Sequence, residues 1–122
     1  MFGKKFVGDQ GEELAITFLK KHNYTILERN FRIRNGEIDI IAIDRSEKEP
    51  VLAFIEVKTR NSHAFGLPLD SITHWKLTFL IRTAQVYKST HQNLPDLMRI
   101  DAVSIYYDNG KPICDLVKNI SE

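Results

Sequence analysis

Apolar positions fall at helical spacing over residues 6–22, where Gly11, Leu14, Ala15, Phe18 and Leu19 share one arc while Glu13, Thr17, Lys20 and Lys21 lie away from it. Glu12 sits at the rim of that arc. Gly8 and Gly11 each cost about 1 kcal/mol relative to Ala inside a helix, so something must approach this helix closely; the sheet edge bearing Asp39 is the expected neighbour. The period then drops to two. Thr25, Leu27, Phe31 and Ile33 mark a first strand over 24–34, and Asn35-Gly36 is a hairpin signal into the next. Two denser β-branched runs follow at 38–43 and 51–57, parted by a polar link ending in Pro50, as neighbouring buried strands read. Helical spacing returns over 71–88, with Ile72, Trp75, Phe79, Leu80, Thr83, Ala84 and Tyr87 expected on the buried side and Lys76 toward its rim. After the Leu94-Pro95-Asp96 break, 98–107 reads as a fourth strand, and Asp108-Asn109-Gly110 turns it into a short last strand at 113–117. A whole helix lies between the third and fourth strands, so these are expected to run parallel through a right-handed crossover. The pattern predicts an α/β fold, a mixed β-sheet flanked by helices, in one domain spanning 1–122.

Three ionisable side chains, Asp39, Glu56 and Lys58, interrupt the two buried runs where structural strands would carry more Val or Ile. Alternation puts Glu56 and Lys58 on one face with Leu52 and Phe54. If the link at 44–50 closes an antiparallel hairpin, its midpoint near Glu47 sets Asp39 opposite Glu56, within one residue of register. Carboxylates about 4 Å apart repel by about 4 kcal/mol at an effective dielectric of about 20, so Lys58 alone is a poor remedy and a divalent cation a better one. Mg²⁺ takes one or two carboxylates from a protein and keeps several waters. Asp39 and Glu56 supply that number, the Val57 carbonyl could add an oxygen, and Lys58 could orient a water or face developing negative charge. The arrangement suits phosphodiester hydrolysis, with Mn²⁺ as a substitute for Mg²⁺. The same spacing also fits a Glu56–Lys58 salt bridge beside an Asp39 that accepts hydrogen bonds from a turn, and spacing leaves both open.

These blocks carry a resemblance. Gly8 to Glu12 (G-x-x-G-E), Gly36 to Asp39 (G-E-I-D), Glu56 to Arg60 (E-V-K-T-R) and Phe65 to Pro68 (F-G-x-P), in that order, resemble the YraN family of small bacterial proteins, which belongs to the PD-(D/E)xK nuclease-like superfamily and is similar to archaeal Holliday-junction resolvases. The resemblance covers roughly positions 8 to 105 and implies a restriction-endonuclease-like αβββαβ core. By this resemblance Asp39 and Glu56 match the metal-binding acids, Lys58 the motif lysine and Glu12 the helix carboxylate of many members. Lys76 resembles a lysine that recurs at the matching place in the family and is a candidate nucleic-acid contact. Ile38 stands where the superfamily's namesake has Pro, a residue that ligates nothing. The implied activity is Mg²⁺-dependent endonuclease cleavage of DNA, with branched or junction DNA as the substrate class and a homodimer as the working form. A nucleic-acid-binding or partner-binding protein of the same fold without catalysis stays open, as does RNA as substrate.

Net charge is only +1, but its distribution matters: residues 1–34 hold seven Lys or Arg against four acids, and residues 61–88 three against one. Basic segments flanking an acidic centre suit a substrate whose phosphates the carboxylates would repel. Arg29, Arg32 and Arg34 crowd the first strand, and Arg60 leaves the third; each is a candidate for phosphate contact or for plain edge-strand charge. The link at 61–69 is placed where loops commonly carry function. Asp101, amid Ile100, Ala102 and Val103, is expected to support the site or to pair with Arg99 or Arg60. The single Cys114 reads as a small buried hydrophobe, and the four scattered histidines lack zinc-ligand spacing. No apolar run approaches a membrane span and the N-terminus lacks a signal-peptide core, so the expected location is cytoplasmic.

Overall fold

The computed structural model describes residues 4–60 and 72–121, with side chains from residue 10 onward. In chain order the elements are α1 (Lys4–Lys21), β1 (Tyr24–Ile33), β2 (Gly36–Asp44), β3 (Val51–Arg60), α2 (His74–Thr90), β4 (Leu97–Asp108) and β5 (Lys111–Val117). The sheet order is β1-β2-β3-β4-β5. Neighbours are antiparallel except β3 and β4, which are parallel and joined through α2. This is the α/β architecture that the periodicity predicts: a mixed five-stranded sheet flanked by two helices, consistent with a restriction-endonuclease-like core. No helix among the described residues is long and apolar enough to cross a membrane.

Each face of the sheet has its own core. Ala15, Ile16 and Leu19 of α1 pack on Ile40, Ala42, Ala53, Ile55, Val103 and Ile105. Leu80, Ala84 and Tyr87 of α2 pack on Ile38, Ile41, Leu52, Phe54 and Ile100. Consecutive residues such as Phe54 and Ile55 are thus both buried, on opposite faces, which is why β3 reads as a continuous apolar run. Cys114 is half-buried against the α1 core.

Several local expectations are corrected. The strict alternation expected in β1 fails because Leu27 is bulged out between Ile26 and Glu28 and stands exposed. Further along, Asn30 adopts a left-handed conformation with φ 54°. The first hairpin turns at Arg34 and Asn35, since Ile33 already pairs with Gly36. Gly36 is needed for another reason: a Cβ there would collide with Oγ1 of Thr83, so its absence lets α2 lie against the hairpin. Gly11 likewise faces Oγ1 of Thr59, making β3, not the edge bearing Asp39, the strand that approaches α1. Helix α2 begins at His74 because Thr73 caps it, its side chain accepting the Lys76 amide at 3.2 Å. Its buried stripe is Leu80, Thr83, Ala84 and Tyr87, whereas Trp75 and Phe79, expected inside, are exposed. Asn109 and Gly110, with φ 51° and 77°, close the β4–β5 hairpin as expected.

Candidate two-carboxylate site

The β2–β3 ladder runs from Asp44 opposite Val51 to Ile40 opposite Ile55, and extending its register by one residue brings Asp39 to Glu56. There the Asp39 side chain enters the ladder itself: its Oδ2 accepts the Val57 amide at 2.8 Å. The carboxylate is thereby held between the two strands, beside the buried Glu56. The contact resolved at Val57 is this amide donation to Asp39. From α2, Lys76 Nζ reaches Glu56 Oε1 at 2.6 Å, and Lys58 Nζ approaches the same oxygen at 3.4 Å. Glu37, Asp39, Glu56, Lys76, Phe79 and Leu80 line a cleft of about 210 Å³ between the start of β2, the second half of β3 and the first two turns of α2.

Charges in this cleft are incompletely matched. Burial first, and the neighbouring Glu56 charge second, push the Asp39 carboxyl up from 3.8 to about 7; Glu12 and Glu37 add to the rise, against the Val57 hydrogen bond. Burial and the adjacent Lys76 lower the Lys58 ammonium, outweighing its attraction to Glu56. Lys76 goes the other way. Burial opposes its charge, but hydrogen bonding to Glu56 and Lys58 prevails and raises it. Asp39 is thus the acid of this cleft that burial and a like charge hold back from ionising. Among the described residues no set of three or more His, Cys, Asp or Glu converges as a metal cage. Two close carboxylates that resist ionising together do, however, fit a cation that takes one or two protein carboxylates and keeps its waters.

A family model described as Uncharacterised protein family UPF0102 matches residues 11–105. The chain belongs to UPF0102. This is the family that the sequence resemblance reaches under the name YraN. Relatives include UPF0102 proteins from Geobacter metallireducens, 38% identical over 97% of this chain and 93% of its own length, and from Caldicellulosiruptor bescii, 44% identical over 94% and 96%. Another, from Chlorobium phaeobacteroides, is 44% identical over 86% of this chain and 82% of its own. The span matched to UPF0102 takes in every residue that lines the cleft.

Other candidate residues of this UPF0102 protein are distributed around the cleft in different ways. Glu12 is buried on α1 and held by Asn30 Nδ2 at 3.0 Å and Arg29 Nε at 3.3 Å, close enough to Asp39 to raise its pKa but outside the cleft lining. Arg29 also binds Glu13 at 2.6 Å, so its fork is committed to α1. Arg32 is largely exposed and pairs with Glu37 at 3.2 Å at the cleft rim. Arg34 stands in the hairpin turn and Arg60 ends β3. The link at 61–69, with its Phe65 to Pro68 motif, lies outside the described residues. Asp101 pairs with Arg99 at 2.7 Å, not with Arg60, and sits on the α1 face of the sheet, away from Glu56. Glu37 and Phe79 were not singled out as site residues. Glu37 shares a strand face with Asp39 at i, i+2, a signal that could have found it; Phe79 was expected inside the core.

Proposed function

We propose that this UPF0102 protein is a metal-dependent endonuclease of the PD-(D/E)xK type that hydrolyses phosphodiester bonds in DNA, with branched or junction DNA as its substrate class. The observation that carries the reading is Asp39, held against Glu56 by the Val57 amide and left with a carboxyl pushed up to about 7. A fold gains nothing from such a pair, whereas a site that receives a cation does. Asp39 and Glu56 would hold Mg²⁺ or Mn²⁺, with the Val57 carbonyl as a further oxygen. Bound there, the cation would supply Lewis-acid stabilisation of phosphate charge and a more acidic water.

The chain's own groups divide the remaining work. Lys58, whose Nζ lies 3.4 Å from Glu56 Oε1, would orient the attacking water. As the water oxygen bonds to phosphorus and the P–O ester bond breaks, the attacking water's proton would pass to solvent and the departing oxygen would take a proton from a second water. The Lys76 ammonium, raised and lining the cleft, would face the charge that develops on the phosphate oxygens. Glu12 acts from outside the cleft through its charge on Asp39. Of the four arginines that the sequence offers as phosphate contacts, Arg32, Arg34 and Arg60 are left to meet flanking phosphates, Arg29 being held by Glu12 and Glu13.

A non-catalytic binding protein is the second reading, favoured by the 2.6 Å Lys76–Glu56 pair, which already neutralises one carboxylate. Incubation of linear, flapped and four-way-junction DNA with Mg²⁺ or Mn²⁺, beside Glu56→Gln and Lys58→Ala, separates the two. The nuclease reading expects cleavage by wild type and a loss of about 10²-fold or more in each variant. Identical background products from all three proteins on every substrate would leave the binding reading.

A further inference from the structure

Trp75 is 73% exposed and Phe79 is 40% exposed on a helix that has a sheet to bury them against. They stand at i and i+4, on one face of α2 and about 6 Å apart along its axis. Phe79 lines the cleft with Asp39, Glu56 and Lys76, so this aromatic face begins inside the candidate site and runs out toward the helix N-terminus. The Arg82 guanidinium lies 5.8 Å from the Phe79 ring centroid, one turn further along. Helix α2 as a whole carries Lys76, Arg82 and Lys88 and no acidic residue.

We propose that Trp75 and Phe79 form a stacking platform for unpaired nucleic-acid bases beside the cleft, so that the site takes single-stranded or splayed nucleic acid in preference to continuous duplex. The proposal rests on reading the cleft as a phosphodiester site. Bases within a duplex present only their edges, their π-faces being covered by neighbours, so an aromatic pair next to a phosphate site is useful where bases are unstacked. Aromatic rings interleaved with Lys76 and Arg82 match the two parts of an unpaired strand, the rings meeting bases and the cations meeting backbone. A second copy is the poorer occupant, because two α2 faces bearing only cations would repel on meeting.

Trp75 is the only tryptophan in the chain, so its emission reports the platform directly. Titration with an oligo-dT strand and with a blunt duplex of equal length, in EDTA at low salt, is followed by Trp emission and by anisotropy of labelled DNA. The expected result is quenching that saturates with dT binding, and a loss of about 5- to 100-fold in dT affinity for Trp75→Ala and for Phe79→Ala. Trp75→Phe should recover most of that loss, and duplex binding should change by less than about twofold. Unchanged emission at saturating dT, no dT binding, or equal losses on dT and duplex would overturn the proposal. So would emission that follows protein concentration without DNA, in step with dimer formation in sedimentation, which would assign the face to a second copy. Because the titration omits metal, stacking here with no cleavage in the Mg²⁺ and Mn²⁺ assay would sink the hydrolase reading alone, and cleavage there with a silent Trp75 here would sink the platform alone.

Discussion

Among the described residues two clusters of buried carboxylates and cations lie on opposite faces of the sheet, and one is far richer in donors than the other. On the α1 face, Arg99 binds Asp101 through Nε at 2.7 Å and through an NH₂ nitrogen at 2.8 Å, and that same nitrogen reaches Asp44 at 2.6 Å. The Tyr24 hydroxyl and the Asn119 amide donate to Asp101, while Ser46 and Lys118 complete Asp44. Burial alone would lift the Asp44 carboxyl, yet the hydrogen bonds from Ser46 and Arg99 outweigh it and hold the group below its usual range. At the other end of β2 and β3, on the α2 face, Asp39 has one amide and an adjacent Glu56, and its carboxyl rises. Similar residue types are buried in both places. What differs is the number of donors per carboxylate, and that number separates a charge cluster that serves the fold from one that does not.

The largest test of this contrast is Arg99→Met. It strands Asp44 and Asp101, both fully buried, and should cost about 3–5 kcal/mol in urea unfolding. Lys76→Met, at a partly exposed group, should cost about 1 kcal/mol or less. Equal losses would mean the two clusters are alike.

Metal addition should discriminate next. Mg²⁺ or Mn²⁺ at about 100 times its Kd should stabilise wild type by about 2.7 kcal/mol by mass action. Asp39→Asn and Glu56→Gln should abolish the rise in Tm, and Lys118→Ala, in the donor-rich cluster, should keep it. A response unchanged in both cleft variants would remove the metal from this site.

The pH dependence has opposite signs in the two clusters. An acid raised from 3.8 to about 7 favours the fold below pH 4, and its contribution is lost as pH climbs to about 7. For Asp44 the lowered folded value makes a contribution present above pH 4 and lost on further acidification. Asp39→Asn should therefore stabilise the metal-free protein by on the order of 2 kcal/mol at pH 8 and by almost nothing at pH 4. Asn can still accept the Val57 amide. A variant that melts below wild type at both pH values would make Asp39 a structural partner.

The smallest effect concerns arginines. If Arg32 meets a phosphate, Arg32→Ala should reduce the slope of log affinity for DNA against log salt by about 0.9, while Arg29→Ala, whose fork is held by Glu12 and Glu13, should leave it unchanged. The reverse ranking would move the DNA surface to the α1 side.

Much of this was determined by the sequence alone. The order and type of the described strands and helices were legible in local pattern, though the β1 period breaks at its bulge, and the Asp39–Glu56 register follows from a hairpin whose midpoint can be counted. Positions separated by a few residues obey strand and helix geometry, so their relative placement needs no tertiary information. What only the tertiary structure decided lies between distant elements. Lys76 reaches Glu56 because α2 docks on the sheet against β2, and Trp75 and Phe79 are exposed because Leu77 and Leu80 are the residues of these turns that meet the core. The Tyr24–Arg99–Asp101–Asp44 network joins β1, β2 and β4, and no spacing within one strand could announce it. Helical periodicity fixes which residues share a face; whether that face meets a sheet, a charge or water depends on where the helix is docked.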